Sequence, residues 1–164
     1  MAKAPDNPAE IFAALDAEYR RIFGDGLISI ILYGSGAGED YRPGVSDLNF
    51  LITLSDAGIG KLEGALETVS RWQKRNVAIP LFMTRGDLAG SRDAYPIELV
   101  NMKRQYVVVS GDDVLAGLSF DPCHIRLQAE RELRGKLLHL RSGYLATGGN
   151  VRKIRELIGR SLTA

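Results

Sequence analysis

The chain has 164 residues, of which 45% are hydrophobic and 25% charged, and a formal net charge of +1. That length suits one domain with a real core, and the near-neutral balance supplies no basic field of the kind that gathers nucleic acid. No stretch resembles a membrane span, and one cysteine, Cys123, excludes an internal disulfide, so a reduced, cytoplasmic setting is the expectation.

Met1 to Asn7 lacks the apolar core of a signal peptide. Asn7-Pro8-Ala9-Glu10 reads as a helix start, with an N-cap amide, proline at the first helical position and Glu10 placed for a capping box. Ile11, Phe12, Leu15, Tyr19 and Ile22 then recur at helical spacing until Gly24 and Gly26 end the segment. Leu27 to Tyr33 is β-branched and short, which predicts a buried strand, and Asp47 to Leu54 predicts its partner. Residues 58 to 75 return to a helical period through Leu62, Leu66, Val69 and Trp72. Val77 to Met83 is a third strand candidate, with Pro80 implying an edge or a bulge.

Thr84-Arg85-Gly86-Asp87 predicts a short capped helix to about Ser91, Pro96 to Met102 fits either helix or strand, and Tyr106 to Val109 predicts a strand ended by Gly111-Asp112. Asp121-Pro122 opens a long helix reaching about Leu145, Gly148-Gly149 stops it, and Asn150 starts a final helix. The expected fold is therefore α/β of the α+β type: a small mixed sheet flanked by helices over 1–118, then a helical C-terminal segment over 119–164. Ile125, Leu133, Leu137, Leu140 and Tyr144 form an apolar stripe on the long helix, which calls for a covering surface such as the core, the final helix, a second chain or a helical partner. The final helix meets no stop signal before Ala164, so a partner surface or a longer chain is expected.

Two segments carry chemistry. The strand ending at Tyr33 drives into Gly34-Ser35-Gly36-Ala37-Gly38, and the next strand opens at Ser46-Asp47-Leu48-Asn49. A glycine at 34 lets backbone amides approach phosphate oxygens, and the Ser35 hydroxyl adds a donor. On a strand, residues 47 and 49 point to the same face. A dinucleotide fingerprint would need a third glycine at Glu39, and a P-loop would need lysine after Gly38.

This pair of segments resembles the signature of the polymerase-β-like nucleotidyltransferases, among them antibiotic-modifying adenylyltransferases and antitoxin-type domains. The resemblance covers Leu27 to Leu54, and Val77 to Met83 loosely. It implies that Gly34 and Ser35 bind the triphosphate of an ATP-like nucleotide, that Asp47 and Asn49 stand at the two Mg²⁺-ligand positions, and that a nucleoside monophosphate passes to a hydroxyl on a small-molecule or protein acceptor. The family's second acid is here Asn49. Its third, on the next strand, is missing from Ala78-Ile79-Pro80-Leu81-Phe82.

With two of three acids absent, transfer is expected to be impaired, because a loss of about 4 kcal/mol in transition-state stabilisation is roughly a thousandfold in rate. Glu98 is a candidate displaced third carboxylate, against the reading of an exposed acid on an amphipathic element. The alternatives are a non-catalytic interaction or regulatory module on the same scaffold, and a purely structural domain in which Gly34 to Gly38 is a plain turn and Asp47 caps a strand.

Overall fold

The computed structural model of the chain describes residues 4–163. Met1–Lys3, part of the stretch read above for a signal peptide, and Ala164 lie outside the described residues. The chain divides into two compact units, Met1–Phe120 and Asp121–Ala164.

The first unit begins with the capping box. Asn7 Oδ1 accepts the Ala9 N–H at 3.0 Å, and Glu10 Oε1 accepts the Asn7 N–H at 2.9 Å. A 3₁₀ turn, Pro8–Ile11, leads into α1 (Phe12–Phe23). That helix buries Leu15, Tyr19 and Phe23 against a four-stranded sheet. The strands are β1 (Leu27–Tyr33), β2 (Asn49–Leu54), β3 (Leu81–Thr84) and β4 (Tyr106–Gly111), in the order β3-β2-β1-β4. β1 is antiparallel to both its neighbours, and β2 and β3 are parallel, so the sheet is mixed.

β1 needs its continuous apolar run because both of its faces are covered. Ile30 and Leu32 pack with α1 and Trp72, while Ile31 packs with Leu88, Leu99 and Met102 on the other side. Ile30, Ile31 and Leu32 are all but inaccessible, each contributing roughly 1.5–3 kcal/mol of burial. Helices α4 (Arg85–Gly90) and α5 (Pro96–Arg104) supply that second face. Pro96 at the first helical position settles the ambiguous stretch as helix. Thr84 caps α4, accepting the Asp87 N–H at 3.0 Å.

Three boundaries depart from expectation. The helix read over 58 to 75 is broken into α2 (Asp56–Ile59), a 3₁₀ turn at Leu62–Ala65 and α3 (Leu66–Gln73). Gly58, Gly60 and Gly64 weaken helix propensity there, and a Cβ on Gly58 would fall 2.9 Å from the Gly26 carbonyl oxygen. The strand read over Val77 to Met83 pairs continuously only at Leu81–Thr84, preceded by one bridge from Val77 to Leu48. Two residues, Asn49 and Phe50, but three on the other side, Ala78 to Pro80, separate that bridge from the Leu51–Leu81 pair, so Pro80 stands in a bulge beside an edge strand. β2 starts at Asn49 rather than Asp47.

In the second unit, Asp121 caps α6 (Pro122–Ala146), its Oδ1 accepting the Cys123 N–H at 2.8 Å. α7 (Val151–Thr163) returns, and Leu157 lies where a side chain on Gly143 would be. Leu133, Leu137 and Tyr144 of the expected stripe are exposed. Cys123 is also exposed. Among the described residues no helix is long and apolar enough to cross a membrane.

Candidate functional site

Register brings the two chemical segments together. Tyr33, the last residue of β1, is the antiparallel partner of Asn49, the first residue of β2. The chain leaving β1 and the chain entering β2 therefore share one end of the sheet. Gly34–Ala37 forms a 3₁₀ turn there, with Gly34 at φ +74°, a conformation that costs an ordinary residue about 1–2 kcal/mol. Gly36 lies so close to the second segment that a Cβ on it would stand 2.8 Å from Leu48 Cδ2 and 3.8 Å from the Asp47 carbonyl oxygen.

Side chains at this corner are free of internal partners. Ser35 is half-buried, Asn49 is half-buried and Asp47 is exposed. Among the described residues none of the three side chains makes a hydrogen bond or an ion pair. Ser46, by contrast, is occupied: its hydroxyl accepts the Arg42 N–H at 3.1 Å and shapes the approach loop. Because Phe50 belongs to the α1-side core and Leu51 to the opposite one, Asn49 faces the α5 side of the sheet.

Residues with no local sequence signal complete the corner. The Gly34 N–H donates to the Gln105 carbonyl at 3.0 Å, so that amide is engaged in holding the turn. The Gln105 side chain covers Gly38, filling the space a Cβ would need. Tyr33 and Tyr106 are cross-strand partners at the same end. Burial pushes the Tyr33 phenol up. The Tyr106 phenol is also pushed up, by desolvation and by its bond to Asp113 at 3.0 Å.

The donor set is short of charge for Mg²⁺. Octahedral Mg²⁺ favours charged carboxylate oxygens, and the corner offers one carboxylate, Asp47, and one neutral amide, Asn49. The backbone beside β2 at this level is Ala78-Ile79-Pro80, between the Val77 bridge and the Leu81 pair, without an acid. Among the described residues no group of three His, Cys, Asp or Glu could hold a metal. Glu98 is exposed on α5 and lines a separate cavity with Leu81, Met83 and Met102, to which neither Asp47 nor Asn49 contributes.

Neither a protein-family model nor a curated protein matches the chain significantly. The chain is similar to a solved toxin–antitoxin structure with AMP-PNP, at 19% identity and a TM-score of 0.41, over 77% of this chain and 97% of that one. It is similar to spectinomycin adenyltransferase AAD(9) from Enterococcus faecialis, solved with ATP and spectinomycin, at 14% identity and a TM-score of 0.48, over 80% of this chain and 68% of that one. It is also similar to a chain of the complex between tri-AMPylated Shewanella oneidensis HEPN toxin and MNT antitoxin, at 14% identity and a TM-score of 0.38, over 88% of this chain and 98% of that one.

Proposed function

We propose that this chain is a nucleotidyltransferase-type protein that binds a nucleoside triphosphate at the Gly34–Ser35 corner and is impaired in transfer. The observation that carries this reading is that Ser35, Asp47 and Asn49, all without side-chain partners among the described residues, lie in the segments where β1 ends and β2 begins. Polar groups left unpaired on a rigid strand end are available to a ligand at no cost in broken internal bonds. The Ser35 hydroxyl is the phosphate donor of the pair, while Gly34 supplies the turn. A cleft of about 380 Å³, lined by Phe12, Leu32, Ala37, Glu39 and Val107, flanks the same turn on the α1 side, the face of the sheet opposite Asn49.

Impairment follows from charge. One carboxylate and one amide attract a divalent ion far less than two or three carboxylates, and the backbone beside β2, Ala78 to Pro80, brings no acid to take a proton from an acceptor hydroxyl. Calorimetry with ATP, in magnesium and again in EDTA, tests the reading. Binding that persists in EDTA and gains little from magnesium is expected; no binding in either condition overturns it.

One observation favours a second reading, a non-catalytic interaction module. Leu133, Leu137, Leu138 and Tyr144 are exposed on α6, apolar side chains that a partner surface would cover. On that reading the chain gives no calorimetric signal with ATP, and size-exclusion light scattering shows an assembly that Leu133→Glu with Leu137→Glu disperses.

A further inference from the structure

β3 is the edge of the sheet, and α4 and α5 roof only part of the face that carries Ile31 and Leu51. A cavity of about 310 Å³ opens there, walled by Leu81, Met83, Leu99 and Met102. Tyr95, 58% exposed, stands at its rim. Ser91 adds a hydroxyl, and among the described residues Glu98 is the only charged one in the lining. Apolar walls around a few hundred cubic ångströms, with a small number of polar groups in the lining, are the common form of a small-molecule site.

The register fixes where this cavity lies relative to the proposed nucleotide corner. Leu51 pairs with Leu81 in the cavity wall, and Asn49 points to the same face two residues earlier, about 7 Å along the strand. The Leu81 end of the cavity is thereby the end nearer the Asn49 row, with Met83, the partner of Thr53, farther away.

We propose that the cavity is the acceptor site, taking a compact apolar body that bears a protonated amine, with Glu98 as the group that selects for the cation. Glu98 sits at the mouth of a low-dielectric surface, where its charge favours an ammonium and repels a carboxylate. A carboxylate accepts up to about four hydrogen bonds, so an ammonium can join the interaction Glu98 already makes within the protein. The acceptor role rests on the nucleotide reading above; amine binding does not.

The test uses the full chain labelled at its methionine methyls, titrated without nucleotide with phenethylamine, phenethyl alcohol and phenylpropionate. Saturable shifts at Met83 and Met102 are expected, tightest for the amine and weakest for the carboxylate. Glu98→Gln is expected to weaken the amine about threefold and to leave the alcohol unchanged. Absence of saturable shifts at both methyls, equal affinity for all three probes, or unchanged amine affinity in Glu98→Gln would overturn the proposal. A parallel ATP titration separates the two ideas. Amine binding without ATP binding removes the nucleotide reading and the acceptor role with it; ATP binding without amine binding removes the amine site alone.

Discussion

Asn49 Nδ2 lies 3.8 Å from the point where a Cβ on Gly34 would stand, and no other atom from beyond the glycine's chain neighbours comes within 4 Å of that point. Space is therefore not what demands glycine at this position; the backbone is. Gly34→Ala is expected to lower stability by about 1–2 kcal/mol through its positive φ, measured by urea denaturation. If the turn relaxes to relieve that strain, the Ser35 donor moves with it, and ATP affinity falls as well.

Ser35→Ala separates binding from folding. Its hydroxyl has no internal partner, so stability is expected to stay within about 0.5 kcal/mol of the parent. Losing a hydrogen bond to a charged phosphate, worth about 1.5 kcal/mol, should weaken ATP about tenfold. Calorimetry and urea denaturation on the same preparation check both halves. A stability loss with unchanged affinity would make Ser35 a structural residue.

Asn49→Asp restores the second acid of the motif. Two carboxylates then stand at the first residue of β2 and two residues before it, and magnesium should strengthen ATP binding where it did little before. Transfer is still expected to be absent, because the facing backbone, Ala78 to Pro80, brings no third acid. A labelled-nucleotide transfer assay measures this; activity in the variant would show that the missing third acid is dispensable.

The parts of the fold legible in the sequence are those set by local chemistry. Asn7 with Glu10, Thr84 with Asp87, and Asp121 before Pro122 each announce a helix start through a side chain that reaches its own backbone. The run from Leu27 to Tyr33 reads as a doubly covered strand because only such a strand tolerates apolar residues on both faces. Gly34, Ser35, Asp47 and Asn49 could be named for the same reason, since their residue types lie in two short windows. Gln105 could not. Its hold on Gly34 spans 71 residues and depends on β4 lying beside β1, which no local pattern encodes. The pairing of Tyr33 with Asn49 and Tyr106 is likewise a matter of register. The break of the 58-to-75 helix falls among Gly58, Gly60 and Gly64, whose weak helix propensity the apolar period masks, and the close approach of Gly58 to Gly26 is visible only once the two segments are placed.

Acid should weaken the α4 cap. Asp87 accepts the Thr84 backbone N–H at 2.8 Å and the Thr84 hydroxyl at 2.8 Å, and these bonds, the backbone one first, hold its carboxyl below the ordinary carboxylate range. A depressed folded pKa contributes stability that is present above the unfolded value, about 3.9, and is lost as pH falls through the folded value. Asp87→Asn is therefore expected to be less stable than the parent at pH 7, with the gap closing below about pH 4. Thermal denaturation of both proteins at pH 7 and pH 3 measures it, and a gap independent of pH would contradict the assignment.

Gly111 repeats the backbone geometry of Gly34 but not its surroundings. Its φ is +77°, yet a Cβ there would stand 2.0 Å from the Ile28 carbonyl oxygen and 3.0 Å from Ser29 Cα. Those are backbone atoms of β1, the strand between β2 and β4, and they cannot swing aside as a side-chain tip would. The same place is tied by the Asp112 N–H donating to the Ile28 carbonyl at 3.1 Å, and by the buried Ser29 hydroxyl donating to the Asp112 carbonyl at 2.6 Å. Gly111→Ala must strain φ and also pull β4 from β1, so about 3 kcal/mol or more is expected, clearly above the cost at Gly34. Gly111 pairs with Ser29, whereas Tyr33 stands at the other end of β1. ATP affinity of the protein that remains folded should consequently match the parent's, a combination that urea denaturation and calorimetry read together.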